Sequence, residues 1–199
     1  ERLIMGAEMF EADNQLLLDE YLGSEYEADK FEAEAKLWKN YKTDYKPLVE
    51  FARNNNLPFI ATNVPRRYAS MVSRGGFEEL DSLTAEAKRY LAPLPVSYDP
   101  ELKCYKDMLS MHGMPGMGGK PNMNFPKAQA IKDATMAHFI AENLPSGKIF
   151  IHYNGAYHSD NYLGILHYLK LYRPGVKIAT ITTVLQDSIE DLDQENKGV

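Results

Sequence analysis

His152, Tyr153, Tyr157 and His158 fall within seven residues of one another, where the apolar run Lys148-Ile-Phe-Ile151 meets the turn Asn154-Gly155-Ala156. Imidazole nitrogens and phenol oxygens are donors that hold transition metals and haem iron, so this cluster has the chemistry to ligate either. Gly155 lets the backbone approach a ligand closely, and His158, three residues on, lies on a turn where it is not committed to sheet packing. His152 alternates with Ile151 and reads equally well as a satisfied core histidine or as a ligand. A phenolate is a hard anionic oxygen suited to ferric iron, but a phenol with a reference pKa of about 10 must lose its proton to bind. His152 and His158 are placed to help Tyr153 or Tyr157 do so. Either tyrosine also reads as an ordinary amphipathic aromatic.

Other residues point to the same place. Glu8 closes the apolar run Leu3-Ile-Met-Gly-Ala7, and a carboxylate there is costly to bury unless it is paired, hydrogen-bonded or bound to a cation. Arg66 and Arg67 are candidate partners, and a plain internal ion pair is the alternative to a functional role. Asn63 closes a second apolar run. In a parallel sheet Glu8, Asn63 and His158 would project onto one carboxyl edge, the rim at which open α/β sheets bind ligands. A helix beginning near Asp160 would turn its first N–H groups toward that crevice and favour an anion. His112, in the methionine- and glycine-rich stretch Met111–Pro121, could fold over a ligand as an axial donor. His138 and His167 read as packing or surface histidines. A phosphate loop and a Gly-x-Ser-x-Gly elbow are both absent, which argues against nucleotide and serine-hydrolase chemistry.

The elements that must position these groups follow from pattern. Strands are predicted over Leu3–Met9, Leu57–Asn63, Lys148–Tyr153 and Lys177–Val184, with helices over about Glu11–Leu22, Arg67–Ser73, Thr84–Leu91, Phe125–Ala141 and Asn161–Tyr172. Ala28 to Asn54 reads as one long helix or a broken pair, with Pro47 marking the restart. In Phe125–Ala141 the helical spacing turns Ile131, Ala134, Met136, Phe139 and Ile140 toward a core. The last strand–helix–strand unit forms a crossover, which makes its strands parallel. The fold class is therefore α/β, a mostly parallel sheet flanked by helices with an additional helical segment between strands two and three. Residues 1–199 read as a single domain.

Composition narrows the function. With 199 residues, 44% hydrophobic and 25% charged, the chain can bury a real core, and its net charge of -6 lacks the basic footprint of a nucleic-acid binder. No apolar run is long enough to span a bilayer. The single cysteine, Cys104, excludes an internal disulfide framework and a four-cysteine zinc site. The chain opens on Glu1 and enters a strand at once, so the natural protein is expected to start upstream, and the acidic tail from Gln186 is expected to be frayed or cut from a longer chain.

Gly6-Ala-Glu-Met-Phe10, Ala61-Thr-Asn-Val-Pro-Arg66, Ala128-Gln-Ala-Ile-Lys-Asp-Ala-Thr-Met-Ala137 and Gly155-Ala-Tyr-His158, in this order, resemble the ChaN-like haem-binding family, which is grouped with Tiki-type proteins. The likeness runs from residue 1 to about residue 184. It implies an iron-regulated lipoprotein of the bacterial cell envelope, anchored at the outer membrane or periplasmic, that takes part in haem or iron uptake with an outer-membrane transport system. It further implies a homodimer holding a cofacial haem pair with tyrosine ligation, with Arg66 or Arg67 near the propionates. Cofactor contacts are thus expected from Tyr153, Tyr157, His158, Asn63, Arg66, Arg67 and His112. Enzyme-like relatives use two Gly-x-x-His motifs and a glutamate. Glu8 and His158 match that pattern, which keeps open a metal-dependent hydrolase or peptidase in which they hold a divalent metal or activate water. The first Gly-x-x-His, on a preceding strand, is missing from this chain. A third reading is a binding module in which these residues form only a structural network.

Overall fold

The computed structural model of the protein describes residues 2–111 and 122–193. Strand β1 (Leu3–Glu11) is buried at every position except its two ends, because an apolar residue stands on both of its faces. It is followed by α1 (Gln15–Leu22), α2 (Ala28–Glu34), a π-helical turn (Tyr41–Tyr45) and α3 (Lys46–Asn54). The 28–54 stretch is thus a broken pair, and α3 restarts with Pro47 in its first turn, where a missing N–H costs nothing. Then come β2 (Phe59–Asn63), α4 (Arg66–Gly75), α5 (Ala85–Lys88), α6 (Lys103–Met111), α7 (Phe125–Glu142), β3 (Ile149–Tyr153) and α8 (Ile165–Tyr172).

The three strands pair in parallel in the order β2-β1-β3. Register places Met5 between Phe59 and Ile151, and Ala7 between Ala61 and Tyr153. Alternation then divides two cores. Met5, Ala7, Phe59 and Ala61 face α1 and α3 in a cluster rich in rings, where Tyr21 stacks on Phe31 with centroids 4.7 Å apart. Phe150 and its neighbours face α4, α7 and α8. Gly6 lies where the Phe150 ring crosses β1: a Cβ there would meet that ring at 2.7 Å and the Ile60 carbonyl oxygen at 3.1 Å.

Helix α7 is enclosed by the sheet, α4, α6 and α8, and ten of its 18 residues are buried, Asp133 and Thr135 among them. Ile131, Ala134, Met136 and Ile140 are in the core as their spacing predicts, whereas Phe139 is only half-buried. Sequence reasoning missed α6. The strand expected over Lys177–Val184 does not form: among the described residues this segment has no ladder partner, and Ile181 is 99% exposed. Alternation supplies strand propensity only, and a strand needs a neighbour to satisfy its backbone. Strand β3 pairs only with β1 among the described residues, leaving Ile149 and Ile151 50% and 40% exposed along its outer side.

Candidate functional site

At the carboxyl end of β1 the β1–β2 register slips between Ala7 and Glu11, which frees backbone carbonyls from the ladder. Side chains from β2 satisfy them. Thr62 Oγ1 lies 2.9 Å from the Ala7 oxygen, and Asn63 Nδ2 donates to the Glu8 oxygen at 2.9 Å. The Asn63 Oδ1 atom is buried without a partner.

The Glu8 carboxylate turns toward the Gly155–His158 turn. Its Oε2 accepts the Gly155 N–H at 2.8 Å, and its Oε1 lies 3.3 Å from His158 Nε2. On the other side of the imidazole, His158 Nδ1 is 2.5 Å from Asp133 Oδ1, and the Tyr105 hydroxyl donates to Asp133 Oδ2 at 2.7 Å. All four side chains are buried. Burial alone would push the imidazole down, but its hydrogen bonds and charge contacts with Asp133 and Glu8 outweigh that and raise it to about 10. Burial likewise opposes ionisation of Glu8, yet His158, the Gly155 N–H and Lys132 hold its pKa below the ordinary glutamate value. Asp133 and His158 share their extra proton across one short bond, and whichever atom carries it, Nε2–H points at Glu8. Lys132, whose Nζ donates to Gln129 Oε1 at 2.6 Å, is pushed down by burial while Glu8 and Asp133 pull it up, and the net shift is downward.

His152 forms a separate pair. Its Nε2 is 2.8 Å from Thr62 Oγ1 and its Nδ1 is 3.0 Å from Asn154 Oδ1. Burial pushes its pKa down to about 4, so the ring is neutral, and its Nδ1–H donates to Asn154 Oδ1. Thr62 is fully buried, so no substrate reaches its hydroxyl. His152 is half-buried and held between Thr62 and Asn154, apart from the Glu8–His158 network.

The structure therefore brings Glu8, Asn63 and His158 together at one rim and separates the other candidates. Neither Arg66 nor Arg67 is the partner of Glu8. Arg67 pairs with Asp13 at 2.5 Å and stacks over Tyr68, because α4 turns it toward the loop after β1. Arg66 is exposed at the start of α4. Tyr153 faces away from Glu8: pairing opposite Ala7 sends it to the α1 and α3 side. Tyr157 is 41% exposed on the turn, and its hydroxyl donates to the Cys104 carbonyl at 3.2 Å. His112 lies outside the described residues. The helix expected from Asp160 begins instead at Ile165, since Asn161, Tyr162 and Gly164 all have positive φ and Gly164 closes on the His158 backbone, so no helix N-terminus forms at Asp160.

Two members of the network, Asp133 and Tyr105, escaped sequence reasoning. The signal was available for Asp133: it shares a helical face with Ala130, Ala134 and Ala137, where a lone carboxylate is as costly as Glu8 in its strand. Among the described residues no three His, Cys, Asp or Glu side chains group as a metal site.

Comparison with known proteins agrees with this architecture. No curated protein sequence matches the chain. A solved structure of ChaN of Campylobacter jejuni, described as cofacial heme binding, superposes with a TM-score of 0.61 at 18% identity, over 85% of this chain and 62% of that one. At such identity the likeness shows the fold, and this chain spans 62% of that relative's length. The family model for haem-binding uptake proteins, ChaN, of the Tiki superfamily matches residues 1–169. With four fifths of its length matched by that model, the chain belongs to the ChaN family of haem-binding uptake proteins in the Tiki superfamily.

Proposed function

We propose that this protein binds haem through the turn that follows β3, with Tyr157 as the iron ligand, and that it serves haem or iron acquisition. One observation carries the choice of ligand: both ring nitrogens of His158 are engaged by buried carboxylates, whereas Tyr157 on the same turn is exposed. The donor set fits a haem. A phenol is offered at the surface, a second exposed ring, Tyr162, lies five residues on beneath the Lys170 ammonium, and the exposed cation Arg66 begins α4 at the carboxyl edge. Flat apolar rings suit the porphyrin face, and cations suit its propionates. Ferric haem, when bound, would supply a Lewis-acidic iron for the phenolate oxygen. Burial and the nearby charges of Asp107, Asp133 and Asp160 push the Tyr157 phenol up, so binding must release its proton against that bias and should strengthen as pH rises toward neutrality.

The finer role follows the family: a homodimer that encloses haem between subunits, lipid-anchored in the bacterial envelope and handing haem to or from an outer-membrane transporter. A metal-dependent hydrolase would need open positions on Glu8 and His158, and the closed network offers none. Titration with hemin tests the reading. A Soret band that saturates with wild-type protein and is lost or displaced in Tyr157→Phe supports it, and sedimentation of the loaded protein as a dimer supports the shared-haem arrangement. An unchanged Soret band in Tyr157→Phe removes Tyr157 as ligand.

A further inference from the structure

The Gly155–His158 turn is held from two directions, and both reach α6. Tyr157 bonds the carbonyl of Cys104. His158 bonds Asp133, which bonds Tyr105, the next residue along that helix. The backbone of the same turn is fixed to β1 through the Gly155 N–H and Glu8. Asp133 is thus the joint at which the turn, α6 and α7 meet: each of its oxygens accepts one hydrogen bond, from a different element. An interior carboxylate of this kind is hard to account for as packing. An apolar residue of similar size would fill the place without the cost of desolvating a charge.

The geometry points to Asp133 as the positioning residue of the haem-binding turn: acting through His158, and braced from behind by Tyr105, it fixes where Tyr157 is presented. This role presupposes the haem site proposed above. It assigns Asp133 no contact with the ligand. Its role parallels the outer partners that orient a metal-binding side chain, whose loss typically lowers affinity by roughly 10- to 100-fold. Acting on His158 are Glu8 from β1 and Asp133 from α7, with His152 of β3 beyond them, while Lys132 of α7, Tyr105 of α6 and Tyr168 of α8 act on those carboxylates. Only the first two bond the imidazole.

The test is hemin titration of wild type, Asp133→Asn and Tyr105→Phe, with circular dichroism to establish folding. Expected are a roughly 10-fold or greater loss of affinity in Asp133→Asn, a displaced Soret maximum in that variant, and a smaller loss in Tyr105→Phe, which keeps the charge and removes only the brace. Folded Asp133→Asn with wild-type affinity and a wild-type Soret maximum overturns the proposal. If Asp133→Asn does not fold, Tyr105→Phe decides alone, and wild-type affinity there overturns it. Nitration of Tyr157 by tetranitromethane in the haem-free protein, followed by peptide mapping, separates the two readings. Should wild type bind no hemin, the haem assignment fails. Faster nitration of Tyr157 in Tyr105→Phe than in wild type still supports the positioning role, and an equal rate overturns it.

Discussion

Raising the pH from 6 to 9 should progressively remove the stability that the buried His158 contacts contribute. In the folded chain the imidazole keeps its proton up to about pH 10, whereas an unfolded histidine loses it near about 6.5. A histidine raised in this way stabilises the fold fully below the unfolded value, and the contribution fades as pH climbs through the folded one. Applying the linkage relation between pH 6 and pH 9 gives a loss of about 3 kcal/mol. Glu8 shifts the opposite way, so its contribution is present above the ordinary glutamate value and is lost only as pH falls below it; it stays constant across this window. Cys104, pushed up by burial, adds a small loss at the alkaline end. Urea unfolding followed by far-ultraviolet circular dichroism at intervals of one pH unit measures the effect, and a change of that size moves the midpoint by roughly 1 M. His158→Gln provides the reference, because it retains Cys104 and removes the imidazole. Wild type should lose stability steeply while the variant loses little. Parallel profiles for the two proteins would refute the assignment of the extra proton to the Asp133–His158 pair.

Three further substitutions test the packing around the site. Gly164→Ala would place a Cβ 2.4 Å from the His158 carbonyl oxygen at a φ of +54, so it should cost at least about 2 kcal/mol in thermal unfolding. It should also lessen the alkaline loss just described. Gly6→Ala forces the Phe150 ring aside and crowds a backbone oxygen that cannot move, with an expected loss of roughly 1–3 kcal/mol in urea unfolding. Tyr41→Phe removes a buried hydroxyl that has no partner, so stability should be unchanged or raised by up to about 1 kcal/mol, read from the same unfolding curves.

The strands near the site were legible because their residue types allow little else: β1 and β2 are apolar on both faces, and only a sheet between two helical layers buries both. The meeting of Glu8, Asn63 and His158 was legible for the same reason, since parallel strands deliver their ends to one rim. Tyr153 could have been set aside by counting, because it follows His152 in an alternating strand and the two must face opposite sides. Asp133 was hidden by its neighbour. Beside Lys132 it reads as a solvated pair on a helix, which masks the signal of the alanine face it shares with Ala130, Ala134 and Ala137. Tyr105 lies on α6, next to a glycine- and methionine-rich stretch that masks the helical pattern. The segment 177–184 has the right alternation for a strand, but pairing is a property of two segments, and nothing in one of them reveals whether the other is at hand.

The bare side of β3 bears on how the protein behaves at high concentration. Among the described residues no strand pairs with this side, and a row of open N–H and C=O groups beside the exposed Ile149 and Ile151 is a template for an extended chain that comes near. Chaperone retention during expression, ribbon-like self-association on storage, or capture of a neighbouring polypeptide would all begin there. A lysine in place of Ile151 is the economical way to blunt it without disturbing the rim where the turn is anchored.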